Sequence, residues 1–228
     1  AESPKWIGRC PVCGEWNTYV EEVVSTKSVA GGRGEFGTME QSKVRPQRID
    51  DIQITEESRI DLGNGELNRV LGGGLVRGSL VLIGGEPGIG KSTLILQTVL
   101  ALKGQKVLYV SGEESARQLK LRAERIGGNA PDCYIVCETS LEDIFVHIRN
   151  VDPDIVVIDS IQTIATSAME SSPGSVGQVR ECAASLLKFA KQTNTPVLLV
   201  GHINKEGSIA GPKVLEHIVD TVLQFEGD

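Results

Sequence analysis

The segment Gly85-Glu-Pro-Gly-Ile-Gly90-Lys91-Ser92 fits the pattern G-x-x-x-x-G-K-[ST]. It constrains the fold more than any other stretch, because it works only between a buried strand and the first turn of a helix. Both flanks comply: Leu80–Ile83 is a short aliphatic run, and Ser92–Leu102 has helical patterning. The glycines Gly85, Gly88 and Gly90 let the backbone curl and turn its N–H groups toward phosphate oxygens. The helix behind them adds its positive end. Lys91 supplies a point charge for β- and γ-phosphates, and Ser92 a hydroxyl for Mg²⁺. The segment therefore predicts binding of ATP or ADP with Mg²⁺ by Gly85, Glu86, Pro87, Gly88, Ile89, Gly90, Lys91, Ser92 and Thr93.

The rest of the chain repeats the same grammar. Aliphatic runs at Val107–Val110, Tyr134–Cys137, Ile155–Ile158, Val197–Val200 and Thr221–Phe225 alternate with helical stretches at Ser115–Ile126, Leu141–Asn150 and Val176–Gln192. In the last helix Val179, Ala183, Leu186 and Ala190 share one face. Strands buried on both faces and separated by helices predict an α/β fold, with a mainly parallel central sheet flanked by helices. Regular patterning starts near Arg48. Before it, residues 1–20 hold both Trp and the pair Cys10 and Cys13, and residues 21–47 are polar and glycine-rich. The expected organisation is a short, loop-like segment at 1–20, a linker at 21–47 and one nucleotide-binding α/β domain at 48–228.

Charge and cysteine usage narrow the function. A net charge of −7 excludes nucleic-acid or membrane binding driven by overall charge, so any DNA contact must be local. No apolar run is long enough to span a membrane. Five cysteines in a chain of 228 residues, with no apolar leader, predict a reducing cytoplasm. Cys133, Cys137 and Cys182 read as core residues, and Arg117, Lys120, Arg122 and Arg125 as a solvated helix face.

Asp159 follows four aliphatics, which puts its carboxylate at the carboxyl edge of the sheet, where it can hold Mg²⁺ with Ser92. Glu113 and Glu114 close another strand on the same edge, and one of them is expected to orient or deprotonate water. The sequence does not choose between them, though Glu113 is the first candidate. His202, at the end of the Val197–Val200 run, is placed to contact a γ-phosphate. Catalytic candidates are thus Lys91, Glu113, Glu114 and His202.

The stretch Leu71-Gly-Gly-Gly-Leu-Val-Arg-Gly-Ser-Leu, running into the phosphate loop, and the Glu113-Glu114 pair resemble the RecA/DnaB/KaiC-like ATPases. The segments Ser3-Pro-Lys-Trp-Ile-Gly-Arg-Cys10-Pro-Val-Cys13-Gly-Glu-Trp-Asn-Thr and Gly201-His-Ile-Asn-Lys-Glu-Gly-Ser-Ile-Ala-Gly-Pro-Lys-Val-Leu-Glu-His narrow the likeness to their bacterial DNA-repair branch, over essentially the whole chain. The resemblance implies a RecA-type core that forms hexameric rings. It also implies a DNA-stimulated ATPase and helicase promoting branch migration in homologous recombination, with a recombinase as a possible partner. Single-stranded and branched DNA would meet Thr163–Gln178 and Asn204–Lys213. The first of these carries no Lys or Arg before Gln178, and its Ser, Gly and Pro content reads as a mobile loop. The alternative function is a KaiC-like regulatory ATPase acting on a protein partner through its nucleotide state.

Two features depart from that branch. Its zinc site uses two C-x-x-C pairs, and this chain shows only Cys10-Pro-Val-Cys13, half a tetrahedral site expected to be empty here. The branch's Lys-Asn-Arg-Phe-Gly motif and Lon-protease-like domain are also not found. The expectation is a truncation at both ends, with weak activity in this fragment.

Overall fold

Each aliphatic run becomes a strand, and three of them end on Gly85, Asp159 and His202, residues the active chemistry would need. In the computed structural model the strands are β1 (Leu80–Gly85), β2 (Val107–Ser111), β3 (Cys133–Cys137), β4 (Ile155–Asp159), β5 (Val197–His202) and β6 (Thr221–Phe225). The residues described are 48–51, 59–127, 132–202 and 215–226. The expectations for Cys10, Cys13, the 21–47 linker and Asn204–Lys213 lie outside them. The chain divides into two units, Ala1–Gln53 and Ile54–Asp228, and the sheet belongs wholly to the second.

The six strands form one sheet in the order β3-β2-β4-β5-β1-β6, with every strand pair parallel. Helices cover both faces. On one side α4 (Leu141–Val151) and α5 (Val176–Thr193) bury Ile144, Ile148, Val179, Cys182, Leu186 and Ala190 against Leu82, Val110 and Ile158. On the other, α2 (Lys91–Ala101) and α3 (Ala116–Ile126) set Ile95, Leu96, Val99, Leu119 and Ala123 on Val81, Tyr109 and Val157. Strand residues alternate between the two cores, which is why the runs are apolar throughout. Each fully buried aliphatic contributes about 1.5–3 kcal/mol against the ordering entropy.

Caps set the helix starts. Ser115, Ser140 and Ser175 each accept from a backbone N–H in the first turn of α3, α4 and α5. The start of α2 differs: Gly90 occupies its cap with φ 106°, and no side chain caps it. One short helix, α1 (Gly65–Val70), carries no periodic signal; Asn64 caps it and it buries only Leu67.

The edge strands correct one expectation. β3 is half-buried because only β2 flanks it, so Cys137 is exposed and Cys133 intermediate, while Cys182 is fully buried. Burial pushes the Cys133 and Cys182 thiols up to about 11, which leaves them unreactive near neutral pH. Among the described residues no helix is long and apolar enough to cross a membrane.

Candidate functional site

Parallel registration brings four strand ends together. Gly85 pairs with His202, Ser111 pairs with Asp159, and Asp159 also faces Val200. The phosphate loop, the acidic strand end and the histidine therefore meet on one edge of the sheet, where ligands bind in open α/β folds. Gly85 has to be glycine: a Cβ there would lie 2.5 Å from the Phe225 carbonyl oxygen of the neighbouring strand. Gly90 has to be glycine for its left-handed backbone. Glu86, Pro87, Gly88 and Thr93 are exposed, with Ile89 and Ser92 half-buried.

Lys91 is 3 % exposed. Its Nζ donates to the carbonyls of Gly85 at 2.8 Å and Glu86 at 2.7 Å, and lies 3.4 Å from His202 Nδ1. Burial pulls its pKa below the usual lysine range, opposed by the nearby Asp159 and Glu113 carboxylates. A buried cation held by neutral carbonyls is poorly compensated, and an anionic phosphate would complete it.

Asp159 is nearly buried, at 7 %. Its Oδ1 accepts from Ser92 Oγ at 3.0 Å and its Oδ2 from the Tyr109 hydroxyl at 2.5 Å. The Asp159–Ser160 peptide bond is cis. A hydroxyl beside a carboxylate is the hard-oxygen donor set that Mg²⁺ prefers, so these residues fit that ion. Burial, reinforced by Asp159, pushes the Tyr109 phenol well above its ordinary range, so it serves as a donor.

The two glutamates separate. Glu113 Oε1 accepts from Ser160 Oγ at 2.6 Å and lies 3.4 Å from His202 Nε2. With its proton on Nε2, His202 can donate to Glu113 and accept from Lys91, linking the cation to the carboxylate. Glu114 turns instead to Arg122, 2.5 Å away on α3. Arg122 is therefore not part of a freely solvated face, whereas Arg117, Lys120 and Arg125 are exposed. Behind Glu113 the backbone is tightly packed. Gly112 N donates to the Asp159 carbonyl at 2.9 Å, and a Cβ on Gly112 would fall 1.8 Å from Thr163 Oγ1.

The Thr163–Gln178 stretch is not the free loop its composition suggests. It opens in a 3-10 turn, Ile161–Thr163, with Thr163 Oγ1 donating to the Ser160 carbonyl at 2.7 Å. Glu142 accepts from the Thr166 hydroxyl at 2.7 Å and from the Ser167 N–H at 3.0 Å. Those bonds, the Thr166 hydroxyl foremost, hold the Glu142 carboxyl down to about 2. Gln178, buried in the first turn of α5, accepts from Thr166 N and donates to the carbonyls of Thr166, Met169 and Ser171. Residues 167–168 and 170–173 stay exposed.

Sequence reasoning did not pick out Tyr109, Ser160 or the Gly112–Thr163 contact. The first reads as one more residue of an apolar strand, and the second only as the residue after Asp159. Only the polar Gln178, on the otherwise apolar face of α5, carried a local signal.

A family model described as "AAA domain" matches residues 43–208, and one described as "Rubredoxin metal binding domain" matches residues 1–21. The DNA repair protein RadA of Bacillus subtilis (strain 168) is 55 % identical over 229 residues, covering 100 % of this chain and 50 % of that protein. The RadA of Listeria monocytogenes is 53 % identical over 230 residues, with 100 % and 49 % covered. That of Pseudomonas aeruginosa is 49 % identical over 229 residues, with 100 % and 50 % covered. The chain spans about half the length of these curated relatives.

Proposed function

We propose, because this chain belongs to the AAA-domain family, that it is the ATP-hydrolysing core of a DNA repair protein. The phosphate loop binds the nucleotide through backbone N–H groups, and Lys91 exchanges its loop carbonyls for the β- and γ-phosphates. Ser92 and Asp159 would hold Mg²⁺, which when bound would supply charge neutralisation for the phosphates. Glu113 orients a water and accepts its proton, while Ser160 and His202 fix the direction of the carboxylate. His202 contacts the γ-phosphate and, through its bond to Glu113, registers its departure. The observation that carries this reading is the Glu113 carboxylate, held by Ser160 and His202 beside the Lys91 ammonium.

The wider role is a DNA-stimulated motor that drives branch migration of recombination intermediates from a hexameric ring. The relatives named for DNA repair support it. DNA contacts fall to the exposed backbone and hydroxyls of Thr163–Gln178 and to Asn204–Lys213. Cys10 and Cys13 supply half of a tetrahedral zinc site, a placement the match over residues 1–21 supports. A ring of this kind completes each site with a cation from the neighbouring subunit, worth about 10³–10⁵ in rate. Steady-state ATP hydrolysis, with and without single-stranded DNA, tests the proposal. It is measured on this chain and on a version extended through a Lys-Asn-Arg-Phe-Gly motif. We expect slow turnover here and DNA-stimulated turnover in the extended protein. Hydrolysis indifferent to DNA in both would favour the regulatory, KaiC-like alternative.

A further inference from the structure

We propose that Tyr109 is a positioning residue for the Mg²⁺-holding carboxylate, fixing Asp159 so that its Oδ1 alone faces Ser92 and the cation. This rests on the reading above that Asp159 holds Mg²⁺ beside the nucleotide. Tyr109 lies in the middle of β2, its ring fully buried among the aliphatics of the α2–α3 face. Its backbone partner in β4 is Val157, and Asp159 is two residues further along the same face. A diagonal of that length is what an aromatic side chain can cross. The phenol reaches the edge of the sheet from inside the core, and its hydroxyl ends on Asp159 Oδ2.

The division of labour follows from the two carboxylate oxygens. Oδ1 is bound to Ser92, the hydroxyl at the start of α2; Oδ2 is bound to Tyr109. Without the phenol, the carboxylate would keep only its bond to Ser92, and its inner oxygen would lose a charge-assisted bond in a buried place. A phenylalanine would fill the same space, so the hydroxyl is there for its bond rather than for packing. Such outer contacts to metal ligands are generally worth 10–100-fold in metal affinity.

The test is Tyr109→Phe, read by the binding of fluorescent ADP in EDTA and across a Mg²⁺ titration. We expect the Kd in EDTA to stay within twofold of wild type. The Mg²⁺ concentration that half-tightens binding should rise about 10-fold or more. A folded variant whose Mg²⁺ dependence matches wild type overturns the proposal. If the variant does not fold, the unaltered chain carries the test through tyrosine labelled at Cζ, with Tyr109 assigned by Tyr19→Phe and Tyr134→Phe. Adding Mg²⁺ to the ADP-saturated protein should then shift the Tyr109 resonance, and an unmoved resonance overturns the proposal. If wild type binds ADP equally with and without Mg²⁺, the assignment of Asp159 itself fails, and this inference falls with it. That outcome is distinct from a Mg²⁺-dependent wild type with a silent Tyr109.

Discussion

Gly112→Ala adds one methyl group at the tightest contact behind the active carboxylate. The new Cβ would lie 1.8 Å from Thr163 Oγ1 and 2.6 Å from Thr163 Cβ. Rotating Thr163 does not relieve the second contact, and it breaks the bond from its hydroxyl to the Ser160 carbonyl. The backbone must therefore give by about 1 Å, a strain of the kind that costs about 1–3 kcal/mol in a packed site. For a domain of this size, that lowers the Tm by roughly 3 °C per kcal/mol. The displaced residue is the neighbour of Glu113, whose 2.6 Å bond to Ser160 cannot survive such a shift. A misplacement of about 1 Å at a reacting group costs about 100-fold in rate. Calorimetry and steady-state ATP hydrolysis, together with ADP affinity, would read the three effects, and ADP affinity should change least. Thr163→Gly in the same chain removes the obstructing atoms and should recover at least a tenfold share of the rate. A Gly112→Ala variant that melts with wild type and turns over within threefold of it would refute the argument.

Three further outcomes are expected. Lys91→Ala should abolish hydrolysis and greatly weaken nucleotide binding; labelled ATP bound within twofold of wild type would contradict the assignment. Glu113→Gln should block hydrolysis while ATP stays bound. Glu114→Gln, which loosens only the Arg122 pair, should cost far less, and reversed effects would move the proton acceptor to Glu114. Glu142 titrates down to about 2, below its ordinary 4.5, so its bonds to Thr166 and Ser167 stabilise the fold fully above that ordinary value. That contribution is lost as pH falls through the window toward 2. The Ser167 amide should follow it by NMR, and Glu142→Gln should remove the step; a midpoint at 4.5 would show that the bonds do not form in solution.

The sheet was legible because its strands are buried on both faces, and a run such as Ile155–Ile158 has few other ways to hide. The phosphate loop was legible because its chemistry is local in the chain. Glu113 and Glu114 could not be told apart, since what distinguishes them is Ser160 and His202 on one side and Arg122 on the other. Thr163–Gln178 looked loose for the same reason: its anchors, Glu142 and Gln178, act across the fold, and only Gln178 stands out in the sequence, as a polar residue on an apolar helix face. Helix α1 escaped because a helix that buries only Leu67 leaves no hydrophobic period to read.

The place of β1 has a consequence for how the chain comes off the ribosome. Its partners are β5, starting at Val197, and β6, starting at Thr221. The phosphate loop is thus synthesised before either, and its strand has neither of these partners until more than a hundred further residues have been made. Closing so long a loop carries a modest entropic cost and a large delay. During that interval Leu80–Ile83 is an unpaired, aliphatic strand in a nascent chain, the kind of segment that invites chaperones or self-association. Translation through Val197–Phe225 is therefore the step on which completion of the sheet around the phosphate loop waits.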